Sequence, residues 1–173
     1  KSNLGWLRSE KYFNSKYRNF MKSLELDKSE ILEYQKNRDP YLFLDFATKV
    51  VPGKSAEGYK DLIDKEWFFK VHWPEDPNMP GFLQIEALTQ MCSLSILTLP
   101  GNKGEIMYLI SADKLIFKKK VIPNFKFYMV TNVIKYIRGF ATFKAQGFID
   151  NELACSAEIN LVLPKEIKKY KIK

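Results

Sequence analysis

His72 is the only histidine of the 173-residue chain, and Glu86, fourteen positions later, is the only charged side chain between Gly81 and Gly101. An imidazole changes charge near neutral pH, so it can take or return a proton during a reaction. A carboxylic acid beside it completes what an elimination of water needs, a base for a proton on carbon and an acid for the departing hydroxyl. Both residue types also have purely structural readings. A lone histidine can be a packed or surface residue, and a carboxylate on a buried helix must reach an edge, find a partner or be held protonated. Gly81 offers a third component, because backbone N–H groups at a helix start, aided by the helix dipole, stabilise negative charge growing on a carbonyl oxygen. Pro80-Gly81 reads equally well as a plain helix-entry signal.

These residues need a helix and a loop to hold them. Pro80 suits the first turn of a helix and Pro100-Gly101 its end, which predicts about five helical turns between Met79 and Gly101. Apolar residues occupy nearly every side of that stretch, the mark of a helix surrounded by protein. His72 lies in WFFKVHWPEDPNMPG, between an expected strand and the helix start. Upstream, Glu10 to Leu26 suits an amphipathic helix around Phe13, Tyr17, Phe20 and Met21. DKSEILEYQKN suits a short helix capped by Asp27 or Ser29, and YLFLDFATKVVPGK a strand ending in a Pro52-Gly53 turn.

Downstream, alternating β-rich segments run over Ile106 to Phe117, Phe125 to Ile137, Phe140 to Ile149 and Leu153 to Leu163. Arg138-Gly139 and Asp150-Asn151 suit hairpin turns that make the last three a meander. One buried helix followed by long antiparallel strands predicts an α+β fold in which the sheet wraps the helix. The expected organisation is an appended segment over residues 1–28, one domain over 29–165 and a basic tail over 166–173.

Composition narrows the chemistry. With 46% hydrophobic and 14% aromatic residues, the chain can bury one core and is too short for two ordinary domains. Its two cysteines, Cys92 and Cys155, lie far apart in apolar segments and read as reduced core thiols, which suggests a cytoplasmic setting. One histidine and two distant cysteines give no cluster for a metal, so none is expected. The apolar run from Phe82 to Pro100 is interrupted by Gln84, Glu86 and Gln90, which argues against a membrane span, and no secretory signal is visible. A formal charge of +8 suggests an acidic partner, but no helix-turn-helix, zinc-finger or aromatic RNA-binding signature points to nucleic acid.

The run HWPEDPNMPGFLQIEALTQ, from His72 to Gln90, resembles the active-site signature of the 3-hydroxyacyl-[acyl-carrier-protein] dehydratases, with the same histidine-to-glutamate spacing. RDPYLFLD from Arg38 to Asp45 resembles that family's first-strand motif, Pro52 to Lys54 its following turn, and Tyr108 to Pro123, with Asp113, Phe117, Val121 and Pro123, a later strand. The likeness runs from about Ile31 to Pro164, over several motifs in the same order. It departs at Val71 and Glu75, which replace glycines flanking the histidine motif, and at Ser111, Lys120, Asn124 and Phe125.

What the resemblance implies is a hot-dog fold and an obligate homodimer whose two sheets join, with a trimer of dimers as the further assembly seen in the family. Two active sites would lie at the dimer interface, the histidine and the acid of each coming from different subunits. His72 would take the C2 proton of a (3R)-3-hydroxyacyl thioester, Glu86 would protonate the leaving hydroxyl, and the Gly81 N–H would bind the thioester carbonyl. Glutamate at position 86 resembles the branch that does not go on to isomerise the double bond. No cofactor is implied, since the phosphopantetheine arm arrives as part of the substrate. Lys118, Lys119 and Lys120 fall where the family carries basic residues near its entrance, and would dock the acidic acyl carrier protein; the plain alternative is a solvated basic strand end. Two other functions fit the same residues. One is a hot-dog thioesterase in which Glu86 activates water, the other a non-catalytic subunit that only binds acyl thioesters.

Overall fold

A computed structural model describes residues 22–169, which begin with a short strand, β1 (Leu24–Asp27), running into helix α1 (Lys28–Tyr34). Asp27 caps α1 as the sequence suggested. Its carboxylate accepts from the Glu30 N–H at 2.9 Å, and the Glu30 carboxylate accepts in return from the Asp27 N–H at 2.9 Å, a reciprocal capping box. The Ser29 hydroxyl and this amide hold the Asp27 carboxyl below its ordinary pKa. The expected amphipathic helix over Glu10 to Leu26 is corrected at its end, because Leu24 and Leu26 pair as strand with Val50 and Ala47, and Leu26 is buried. The rest of that helix lies outside the described residues. The sheet therefore takes in residues 24–27, ahead of the boundary expected at residue 29.

Strand β2 (Phe46–Val51) turns through Gly53, at φ +72°, into β3 (Ser55–Leu62), the Lys54 N–H closing the turn on the Val51 carbonyl at 2.9 Å. β3 has no counterpart among the expected elements. Its inward face carries Ala56, Gly58, Lys60 and Leu62, too mixed to read as apolar alternation. Gly58 is needed for packing, since a side chain there would fall 2.2 Å from the Phe46 carbonyl oxygen and 2.8 Å from the Met91 methyl. Lys60 is buried between Asp45, at 3.0 Å, and Glu66, at 2.6 Å. Burial lowers its pKa, but the bonds to Glu66 and Asp45 outweigh this and leave it raised.

WFFKV forms a one-turn helix, α2 (Trp67–Val71), rather than the strand its aromatic run suggested. Phe68 and Phe69 are buried, and the His72 N–H closes the turn on the Phe68 carbonyl at 2.9 Å.

Helix α3 (Gly81–Leu97) is the centre of the molecule, with Pro80 at its N-cap instead of inside its first turn. From Gln84 to Leu97 every residue except Glu86 is buried. Its hydroxyl residues bond to their own helix, as in Thr89 to the Ile85 carbonyl and Ser95 to the Cys92 carbonyl, each at 2.8 Å, so their burial leaves no donor unpaired. Beyond its end, Asn102 donates to the Ile96 carbonyl at 3.0 Å.

The remaining strands are β4 (Tyr108–Phe117), β5 (Phe125–Ile137), β6 (Phe140–Ile149) and β7 (Glu152–Val162), with a short helix α4 (Pro164–Lys168) at the start of the expected basic tail. All neighbours pair antiparallel in the order β1-β2-β3-β5-β6-β7-β4. The meander turns at Arg138-Gly139 and Asp150-Asn151, all four residues having positive φ, which matches the right-handed twist of the strands they join. This sheet wraps α3 as a hot-dog fold. Cys92 and Cys155 are free and buried, and burial pushes the Cys155 thiol up to about 12 and Cys92 higher still, so neither is a reactive thiolate. No helix among the described residues is long and apolar enough to cross a membrane.

Ile85 and Leu88 are 4% and 0% exposed, and an aspartate at either would put an unpaired charge in the core. Each substitution is expected to cost about 4 kcal/mol or more, read by thermal unfolding; a variant with the wild-type midpoint would contradict the packing of α3.

Candidate active site

His72 is the C-cap of α2 and sits half-buried, its ring stacked on that of Trp73 with centroids 4.1 Å apart. Nδ1 lies 2.8 Å from the Asn78 carbonyl oxygen. A carbonyl can only accept, so Nδ1 carries a proton, and in the neutral imidazole Nε2 is then the unprotonated nitrogen. The backbone turns sharply here, Trp73 having φ +53°. Val71, where the resembling family has glycine, is the last residue of α2 and needs no glycine conformation; Glu75 is exposed.

The loop after His72 delivers the chain to the start of α3. His72, Trp73 and Asn78 line a cleft of about 400 Å³ with Gly81, Gln84, Phe117 and the three lysines Lys118, Lys119 and Lys120. Gly81 opens α3, where amide N–H groups have no acceptor within the helix and the helix dipole is positive. The Phe117 ring lies so close that a Cβ on Gly81 would come within 2.9 Å of it. The cleft thus brings together His72, Gly81 and the three lysines, the residues that the sequence suggested as base, amide donor and basic rim.

Glu86 is not in that cleft. One and a half turns into α3, it lines a separate cleft of about 120 Å³ with Gln35, Thr89, Gln90, Ser93 and residues at the start of β4. It is half-buried and accepts from Gln90 Nε2 at 2.9 Å. Gln90 is itself fixed: Nε2 also donates to the Tyr41 carbonyl at 2.9 Å, and Oε1 accepts from the Phe43 N–H at 2.8 Å. Partial burial and, after it, the Glu86 charge push the Tyr41 phenol above its ordinary pKa, so Tyr41 is a neutral hydroxyl near the carboxylate. His72 and Gly81 thus line one cleft, and Glu86, anchored by Gln90, lines another.

A model of the FabA-like domain matches residues 36–158, which include His72, Gly81 and Glu86. The chain belongs to the FabA-like family. It is 40% identical over 142 residues to the 3-hydroxyacyl-[acyl-carrier-protein] dehydratase FabZ of Clostridium botulinum strain Hall, covering 81% of this chain and 97% of that one. The protein of the same name from Clostridium novyi is 37% identical over 136 residues, covering 79% and 96%. Among solved structures, the dehydratase heterocomplex ApeI:P from Xenorhabdus doucetiae superposes with a TM-score of 0.66 at 12% identity, over 83% of this chain and 97% of that one. An uncharacterised protein from Pyrococcus horikoshii does so with a TM-score of 0.58 at 14% identity, over 76% and 91%. At those identities the likeness is one of fold.

In this FabA-like chain the basic rim is partly neutralised. Lys119 pairs with Glu152 at 2.7 Å and Lys120 with Asp76, while among the described residues Lys118 has no ion pair. Such exposed pairs are worth about 1 kcal/mol or less and do not fix the lysines rigidly. Asn124, where the resembling family has glycine, takes φ +66° in the turn before β5, a conformation asparagine tolerates. Sequence reasoning gave Gln90 no role. Its i,i+4 spacing from Glu86 is the signal that could have supplied one, since side chains so spaced meet on a helix. No group of three or more His, Cys, Asp or Glu that could hold a metal occurs among the described residues.

Proposed function

We propose that this protein removes water from (3R)-3-hydroxyacyl thioesters carried on acyl carrier protein and releases trans-2-enoyl thioesters. The observation that carries the reading is the contact of His72 Nδ1 with the Asn78 carbonyl, beside the cleft that His72 and Gly81 both line, which in the neutral imidazole leaves Nε2 as the base. His72 takes the C2 proton. The electron pair moves towards the thioester carbonyl, whose growing negative charge the Gly81 N–H stabilises. Glu86, in its acid form, protonates the C3 hydroxyl, the C3–O bond breaks as water leaves, and the C2=C3 double bond forms. No cofactor enters this scheme.

His72 and Glu86 line different clefts of one chain, which supports a site completed by a second copy. The edge strand β4 supplies the surface. Tyr108, Leu109, Ile110, Leu115, Ile116 and Phe117 along it are 36–56% exposed, an apolar strand edge of the kind that proteins cover. Two β4 strands joined edge to edge make one continuous sheet and carry the carboxyl half-site of each subunit towards the base of the other.

The reaction class is tested by offering a (3R)-3-hydroxyacyl thioester and a saturated acyl thioester, each on carrier protein. Enoyl product from the first and no thiol from the second is expected. Thiol released from the saturated substrate would identify a hydrolase instead.

The lysine rim gives a separate expectation. Lys118→Glu with Lys119→Glu should raise KM for the carrier-bound substrate and weaken its salt dependence, while turnover of a small pantetheine thioester stays close to wild type. Equal losses with both substrates would remove the rim's docking role.

A further inference from the structure

We infer that Asn78 is a positioning residue for the catalytic base, its side chain holding the carbonyl that selects the reactive tautomer of His72. The inference rests on the dehydratase reading for its consequence in turnover, but its structural part stands on geometry alone. Asn78 makes two contacts in different directions. Its backbone oxygen accepts from His72 Nδ1 at 2.8 Å, and its side-chain Oδ1 accepts from the Val121 N–H at 2.9 Å, forty-three positions away. The next residue repeats the attachment, the Met79 N–H donating to the Val121 carbonyl at 2.7 Å. Residues 78 and 79 are thus tied to both polar groups of one buried peptide position, since Val121 is 0% exposed.

This tie matters because the loop from Trp73 to Pro80 is neither helix nor strand and has one turn, closed by the Asp76 N–H on the Trp73 carbonyl at 2.9 Å, which ends before Asn78. The Asn78 carbonyl shares a peptide plane with the Met79 N–H, so its direction is held from outside the loop by two bonds to residue 121, one from the backbone and one that the asparagine side chain adds. With that carbonyl in place, Nδ1 has an acceptor and keeps the proton; released, it leaves the neutral imidazole free to carry its proton on either nitrogen. A histidine protonated on Nε2 presents a donor where the reaction needs a base. The same tie joins the loop after His72 to the residue that follows Lys118, Lys119 and Lys120.

Because His72 is the chain's only histidine, imidazole ¹⁵N resonances of the uniformly labelled protein report it without ambiguity. The wild type should show the Nδ1-protonated tautomer. Asn78→Val, which keeps the backbone carbonyl but removes Oδ1, should show a mixture of tautomers, with kcat lowered about tenfold or more and KM nearly unchanged. Asn78→Asp, whose carboxylate can still accept from the Val121 N–H, should return both the tautomer and most of kcat. Circular dichroism of each variant checks that the fold is intact. A wild type protonated on Nε2, or a folded Asn78→Val with unaltered tautomer and kcat, would overturn the inference, as would Asn78→Asp failing to differ from Asn78→Val. The tautomer is read without turnover, so these results are separable from failure of the dehydratase reading, which would appear as inactivity of the wild type.

Discussion

His72→Ala is expected to lower the rate of dehydration by at least about a hundredfold, the lower end of what a positioned base contributes. The loss should fall on kcat, because the substrate still meets the Gly81 amide and the cleft walls while no group remains to take the C2 proton. The fold should survive, since the imidazole is half-buried at a helix end and makes one side-chain hydrogen bond, to the Asn78 carbonyl. Near-normal turnover by a folded variant would remove His72 from the chemistry.

Glu86→Gln should cause a loss of similar size, again at least about a hundredfold. The amide has the same shape, and its oxygen can still accept from Gln90 Nε2, so the substitution changes little except the acidic proton. If this variant turns over substrate at a rate close to wild type, the hydroxyl leaves with a proton from another source. Glu86→Ala is a poorer probe, because it also frees Gln90, which ties α3 to Tyr41 and Phe43.

Those two side chains could be read from the sequence because each is the only one of its kind in its surroundings. A sole histidine and a sole charge on an apolar helix stand out by residue type alone. The same contrast revealed α3, whose apolar residues exceed what one face requires, and the meander, whose turn residues suit positive φ. Where the pattern was weak the reading failed for identifiable reasons. β3 hides because a glycine and an ion-paired lysine occupy its inward face, so burial there does not follow hydrophobicity. α2 looks like strand because Trp67, Phe68 and Phe69 favour strands, yet its helical turn buries two of them. β1 is four residues long and is defined by pairing with β2, a contact that local periodicity does not encode.

The site itself was legible by residue type and only partly by arrangement. Gly81 was singled out as a helix start with free N–H groups, and it lines the same cleft as His72. Spacing says nothing about whether His72 and Glu86 meet within one chain. Fourteen residues of loop and helix put them in different clefts, and the expectation of a shared interface came from resemblance rather than from periodicity. Asn78 was invisible for a related reason. Its importance lies in bonding to residue 121, and no local pattern marks an asparagine whose partner is that far away.

The central claim is that base and acid act together across a two-fold interface, and subunit mixing tests it most directly. His72→Ala and Glu86→Gln, each inactive alone, are combined in equal amounts under conditions where exchange between differently tagged subunits is demonstrated. In a mixed dimer one site receives the intact histidine of one subunit and the intact glutamate of the other, while the second site receives neither. Random exchange makes half of the dimers mixed, so recovery of about a quarter of wild-type activity is predicted from the two-fold symmetry. If demonstrated exchange restores no activity, each site is built within a single subunit and the account of the interface is wrong.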